Sequence, residues 1–132
     1  MNFALLLSCI AAIETGCPLE HDIGTWSKYD CKVGKHGETT RYQILPSVAK
    51  AVIGKNPKTS LEAYNLAWYI LLARYKIYNK KWNSTHLPTT QIVYALWNSP
   101  AYTIRTGKIP EHCKEKAIHF DNLYEQELLE QN

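Results

Sequence analysis

The sequence has no long apolar run, no Cys-x-x-Cys pair and no basic residue ahead of its apolar beginning. Its longest apolar stretch covers residues 3–13, well short of the ~20 residues that span a bilayer. Because a secretion signal normally starts with Lys or Arg, the missing positive charge argues against a signal peptide. Without paired cysteine spacing we expect no zinc site, and no motif indicates another metal or a cofactor.

Internal repeats, low-complexity tracts and linkers are also missing from the 132 residues. A chain of this length supports one hydrophobic core rather than two, and 45% hydrophobic residues are ample for a folded protein. We therefore predict a single domain over residues 1–132, and expect it to be a monomer.

The charge is modest overall but unevenly distributed. The net charge is +3, yet residues 1–110 contain thirteen Lys or Arg against six acids, and residues 111–132 contain two against six. This is too weak to indicate nucleic acid, but a basic body suits an anionic polymer. Nine Tyr, four Trp and two Phe exceed what a small core needs, so some should line a surface or cleft.

Helical patterns cover most of the chain. Residues 3–15 are apolar on every side, which predicts a buried helix that ends at Gly16, where glycine can take the left-handed cap conformation. Further helices are predicted at 47–53, closed by Gly54, from Thr59 or Ser60 onwards, at 88–98 and from Pro110. The polar segment 16–45 should be irregular, with a short hairpin near residues 37–45.

The four cysteines, Cys9, Cys17, Cys31 and Cys113, allow three disulfide pairings. A bridge between Cys17 and Cys31 would close the polar loop and would suit an oxidising compartment. Cys9 lies in the apolar helix, where cysteine is usually a small buried side chain. The pairing stays open at the level of sequence.

Glu14 is the most informative position, because it is a carboxylate at the end of an apolar helix, beside a Gly-Cys-Pro break. Partial burial raises the pKa of a carboxyl group, and a general acid at neutral pH requires such a raised pKa. The alternative is a glutamate whose side chain simply reaches water at the helix end.

Two further segments could form a binding cleft. Residues 37–47 (Gly-Glu-Thr-Thr-Arg-Tyr-Gln-Ile-Leu-Pro-Ser) should present the aromatic face of Tyr42 and the amide of Gln43 on one loop. Residues 94–100 (Tyr-Ala-Leu-Trp-Asn-Ser-Pro) should end a helix with Trp97 and Asn98. Taken alone, the second segment is more simply explained by packing of Trp97 in the core and capping of the helix end by Asn98.

Taken in order, these segments resemble the lysozyme-like lytic transglycosylases. Residues 12–16 (Ala-Ile-Glu-Thr-Gly) look like the family's helix-ending Glu-Ser/Thr-Gly, and residues 37–46 look like its Gly-x-Tyr/Met-Gln-Ile-x-Pro stretch. Residues 95–99 resemble its Ala-Tyr-Asn-Ala-Gly stretch, and residues 117–124 its closing helix. The similarity spans about residues 5–125. It implies an α+β fold, mostly helical, with a buried central helix and a small hairpin region.

The resemblance implies cleavage of the β-1,4 bond between N-acetylmuramic acid and N-acetylglucosamine in peptidoglycan. Glu14 would be the catalytic acid and base, with Thr15 beside it, and Tyr42, Gln43, Trp97 and Asn98 would contact substrate. The substrate implies a periplasmic or secreted location. Glu38 is the best candidate for a supporting or second carboxylate, so a hydrolase remains the runner-up to a lyase.

Three departures from the family pattern concern the cleft. Thr40 stands where glycine is usual, Trp97 replaces tyrosine, and Ser99-Pro100 replaces Ala-Gly. They make a non-catalytic glycan-binding or inhibitory module a credible rival. A cysteine-stapled interaction protein, in which Glu14 is structural, is a second rival.

Overall fold

A computed structural model describes residues 1–83 and 89–131. This part of the chain is 64% helical and contains no sheet, so the prediction of a mostly helical fold is confirmed. The helices are α1 (Phe3–Thr15), α2 (Pro46–Ile53), α3 (Ser60–Lys81), α4 (Thr89–Asn98), α5 (Pro100–Thr106) and α6 (Lys114–Gln131), with a 3-10 turn at Glu111–Cys113.

Helix α1 has the bounds and the burial that its apolar sequence predicts. The side chain of Asn2 caps its start by accepting a 3.1 Å hydrogen bond from the N–H of Leu5. Leu6, Leu7 and Ile10 have no exposed surface. At the other end Gly16 has φ 77° and donates its N–H to the carbonyl of Ala12 at 2.9 Å. This left-handed cap lets the chain leave the helix directly after Glu14 and Thr15.

Helix α2 begins and ends, and helix α3 begins, at the proline, glycine and threonine that the sequence predicts. Pro46 opens α2, and Gly54 closes it with φ 75°. Thr59 caps α3, because its hydroxyl oxygen accepts the N–H of Glu62 at 3.1 Å, and the carboxylate of Glu62 reaches back to the same hydroxyl at 3.3 Å.

The structure differs from the sequence predictions at three places. The hairpin near residues 37–45 reduces to one isolated bridge between Thr39 and Ile44, because Thr40 and Gln43 have positive φ angles that reverse the chain within four residues. Helix α5 was not predicted, since seven residues are too few to show a period. The predicted helix from Pro110 begins as the 3-10 turn. Pro88, the predicted first residue of the helix at 88–98, lies outside the described residues.

The chain divides into two compact units, Met1–Tyr69 and Ile70–Asn132, with the boundary inside α3. In the first unit α1 forms the core together with residues such as Tyr42 and Ala63. In the second, α4 packs against α6, and the rings of Tyr94 and Phe120 lie 5.4 Å apart between centroids. No helix among the described residues is both long and apolar enough to cross a membrane.

Candidate functional site

Glu14 is half-buried in the last turn of α1. The helix end around it is held by polar contacts: the ammonium group of Lys32 donates to the carbonyl of Thr15 at 2.6 Å. A cation at this position satisfies an unpaired helix carbonyl and complements the negative end of the helix dipole. The carboxylate of Glu14 therefore projects from a fixed backbone, as a general acid requires.

Thr15 connects the helix end to the loop that carries two other predicted residues. Its side chain is buried, and its hydroxyl lies within hydrogen-bond distance of the carbonyls of Ala11, at 2.9 Å, and Arg41, at 3.1 Å. Arg41 directly precedes Tyr42 and Gln43 in the chain. The Thr15 hydroxyl therefore joins the end of α1 to the backbone of the residue that precedes Tyr42.

A buried ion pair organises the polar segment 16–45. The guanidinium of Arg41 contacts the carboxylate of Asp30 at 2.9 Å, and the two side chains are 3% and 0% exposed. Arg41 also donates to the carbonyls of Asp22, at 3.1 Å, and Thr25, at 2.7 Å, and to the hydroxyl of Ser60 at 3.0 Å. One side chain therefore satisfies carbonyls that an irregular loop would otherwise leave unpaired.

Burial of Asp30 opposes its charged form, but its hydrogen bonds with Arg41 prevail and hold the pKa of the carboxyl group below its usual value. The same pair raises the pKa of Arg41 despite the burial of the guanidinium. This pair was not predicted from the sequence. The polar segment 16–45 contains four acids and four Lys or Arg side chains, and nothing in their spacing singles out Asp30 and Arg41.

The loop at residues 39–44 is tightly folded. Thr40 has φ 68° and Gln43 has φ 55°, a region that residues other than glycine seldom occupy. The amide of Gln43 donates to the carbonyls of Lys32 and Thr40, each at 3.0 Å. A Cβ atom on Gly34 would lie 2.6 Å from the side-chain oxygen of Gln43, so a larger residue there would displace the Gln43 side chain.

Tyr42 does not present the exposed aromatic face that its sequence context predicts. It is 2% exposed because the neighbouring loop residues turn inward with it, and burial raises the pKa of its phenol. Glu38 is half-buried, and its carboxylate accepts a 2.6 Å hydrogen bond from the N–H of His36. Both residues thus help to shape the loop.

Trp97 and Asn98 lie at the end of α4 in the second unit. The guanidinium of Arg74 stands 5.7 Å from the centroid of the Trp97 ring and donates to the carbonyls of Leu96, at 3.0 Å, and Trp97, at 3.1 Å. Burial lowers the pKa of Arg74 to about 10, so it stays charged at neutral pH and caps the helix end.

Asn98 is exposed, and its side-chain oxygen accepts the hydroxyl of Ser99 at 2.9 Å. That hydroxyl lies 3.3 Å from Nε2 of His112. Since Glu14 and Gln43 belong to the first unit and Asn98 to the second, the convergence of these three on one groove stays a prediction.

The Cys17–Cys31 bridge considered from the sequence is not formed. Both are free thiols, with Cys17 buried and Cys31 exposed, and burial raises the pKa of Cys17. Within residues 1–83 and 89–131, no group of three or more His, Cys, Asp or Glu side chains is arranged to hold a metal ion.

Comparisons of the chain with protein-family models, with curated proteins and with solved structures found no match.

Proposed function

We propose that the chain is a lysozyme-like domain that cleaves peptidoglycan as a lytic transglycosylase. The proposal is carried by one observation: half-buried Glu14 lies in the last turn of the largely buried helix α1, and the Thr15 hydroxyl ties that helix end to the carbonyl of Arg41 in the Gln43 loop. A carboxylic acid in this setting is held at a fixed position between core and solvent, where it can both give and take a proton.

Thr40 supports the resemblance on which the proposal rests. It stands where the transglycosylase pattern has glycine, and its φ of 68° is one that glycine adopts without strain. A threonine in this region costs roughly 1–2 kcal/mol, offset here because its side-chain oxygen accepts the N–H of Tyr42 at 3.2 Å. The loop thus keeps a glycine-like backbone although the residue has changed.

In the proposed reaction, Glu14 donates its proton to the glycosidic oxygen as the bond between that oxygen and the anomeric carbon of the muramic residue breaks. Glu14 then takes the proton of the muramic 6-hydroxyl, whose oxygen attacks the anomeric carbon. The products are a 1,6-anhydro end and a new free hydroxyl on the leaving sugar. Only one protein carboxylate takes part, and it returns to its protonated form.

A hydrolase would need a second carboxylate at a defined distance from the first. Asp30 is fully engaged with Arg41, which leaves Glu38 as the candidate for that role. The lyase is favoured because the hydrogen bond from His36 already holds the Glu38 carboxylate within its own turn. The wall substrate would place the active protein outside the cytoplasm.

The decisive experiment digests purified sacculi with the wild type, Glu14→Gln and Glu20→Gln. Glu20 is an exposed acid in the neighbouring loop and serves as the matched control. We expect the Glu14→Gln variant to lose at least about 100-fold in rate, with an unchanged circular-dichroism spectrum, while Glu20→Gln stays active.

Mass spectrometry of the muropeptides then separates the alternatives. Anhydro ends support the lyase, and reducing ends that disappear in Glu38→Gln would replace it with the hydrolase. Full activity of Glu14→Gln would overturn the assignment of the catalytic residue. Sacculus binding without any released product would support the glycan-binding module.

A further inference from the structure

A groove of about 440 Å³ lies in the first unit between the end of α2 and the first half of α3. Its volume is within the roughly 300–1,000 Å³ that is usual for small-molecule sites. The α3 residues that line it are spaced three and four apart, so they share one helix face. Besides Lys55, the groove is lined by Val52, Ile53, Glu62, Asn65, Leu66 and Tyr69.

The groove has an apolar base and wall and an aromatic side. Leu66 is 2% exposed and forms the base, whereas Val52 and Ile53 are each 38% exposed. Tyr69 is 60% exposed, and its ring makes no ring or cation contact with any residue in 1–83 or 89–131. Adjoining exposed aromatic and aliphatic side chains are a feature of ligand-binding grooves.

Polar groups converge on the same groove in a fixed arrangement. The carboxylate of Glu62 pairs with the ammonium of Lys55 at 3.0 Å and also accepts the N–H of Lys58 at 3.3 Å. The hydrogen bond from Lys55, followed by that from Lys58, lowers the pKa of Glu62. The Glu62 carboxylate therefore stays ionised and oriented at neutral pH.

Asn65 supplies an unused amide. Its side chain is exposed, and within the described ranges it makes no hydrogen bond. It lies on the α3 face between Glu62 and Tyr69, so its donor and acceptor are directed to the same space as the ring and the carboxylate.

We infer that this groove binds a neutral N-acetylated sugar residue at a site separate from Glu14. The Tyr69 ring offers a flat apolar surface for the C–H face of a sugar ring, and Val52 and Ile53 suit an acetamido methyl group. Asn65 can both donate to and accept from the acetamide, while Glu62 and Lys55 bind hydroxyl groups. Because the charges of Lys55 and Glu62 cancel, the groove offers no net attraction to an ionic ligand.

The choice of an acetylated sugar rests on the proposed function, because peptidoglycan strands repeat that group. A second contact with the strand would keep the protein on an insoluble polymer between cleavage events, since linked weak sites act together through a high effective concentration. The groove would then contribute to binding and not to the chemical step.

The test is an NMR titration with the tetramer of N-acetylglucosamine, and cellotetraose as the sugar lacking the acetamido group. We expect the acetylated tetramer to shift the Asn65 side-chain amide and the Val52 and Ile53 methyl signals in the wild type and in Glu14→Gln alike. Tyr69→Ala should weaken binding at least tenfold, which is about 1.4 kcal/mol. Asn65→Ala should weaken the binding of the acetylated tetramer more than the binding of cellotetraose.

Tyr102→Ala is the matched control and should bind the acetylated tetramer as the wild type does. Tyr102 is also exposed, at 38%, but lies in the second unit. Unmoved groove signals, or equal affinity in Tyr69→Ala and the wild type, would overturn the inference. If sacculi are cleaved but the groove signals do not move, only the groove assignment fails. If the groove binds the tetramer but sacculi stay intact, only the proposed activity fails.

Discussion

In residues 16–45 separate turns are tied together by hydrogen bonds to one buried ion pair, whereas α4 and α6 are joined by aromatic and aliphatic side chains. Arg41 alone reaches Asp30, two carbonyls and a hydroxyl. In the second unit every residue of 92–97 is buried, and Phe120 packs against Tyr94. The first region depends on the direction of a few bonds and the second on the fit of many contacts.

This difference bears on the candidate site, since Thr15, Tyr42 and Gln43 lie in or against the polar region. A buried ion pair contributes little net stability compared with apolar packing. Removing one partner, however, leaves the other charge buried without a counter-charge, which strongly destabilises the fold. The polar region should therefore be the more sensitive to single polar substitutions, and the three predictions below test this contrast.

The largest effect is expected for Arg41→Met. The change leaves the Asp30 carboxylate buried without its cation and frees the carbonyls of Asp22 and Thr25, so we expect a loss of about 3–5 kcal/mol in the free energy of unfolding. Urea denaturation followed by circular dichroism measures it. Lys114→Met, which breaks the exposed pair with Glu111 in the second unit, should leave the midpoint unchanged. A loss for Arg41→Met below about 1 kcal/mol would contradict the assigned role of the pair.

The second effect is a dependence of stability on acid pH that arises from Asp30. Its pKa is lower in the folded than in the unfolded protein, so the stabilisation is present above the unfolded value of about 3.9 and is lost as pH falls towards the folded value. Denaturation midpoints measured from neutral pH down to about pH 2 should fall steeply in the wild type and less steeply in Asp30→Asn. Parallel curves would show that other carboxylates, such as Asp22, account for the slope.

The smallest effect compares two buried threonine hydroxyls. Thr15→Val removes a hydroxyl that bonds the carbonyls of Ala11 and Arg41, and should cost about 1–2 kcal/mol. The hydroxyl of Thr103 in α5 is buried without a hydrogen-bond partner in the described residues, so Thr103→Val should be neutral or stabilise the protein by up to about 1 kcal/mol. Thermal unfolding of both variants measures the two changes in stability. If Thr103→Val destabilises the protein more than Thr15→Val does, the contrast between the two regions is contradicted.

Much of the fold could be predicted because its signals are local. The apolar run with Gly16, the proline and glycine around α2, and Thr59 with Glu62 each specify a helix end through bonds made within a few residues. Helix α5 was not predicted because it is short. The predicted hairpin is only one bridge in the structure, because β-compatible side chains do not reveal the positive φ angles of Thr40 and Gln43.

The sequence by itself determined the buried helix that ends before Gly16, the helix caps and the mostly helical class, because these follow from side-chain period and from glycine and proline chemistry. Only the tertiary structure decided that Asp30 pairs with Arg41, that Tyr42 lies inside and that Tyr69 is left exposed above a groove. The reason is physical: each of these outcomes depends on contacts between residues far apart in the chain, and no local pattern records them.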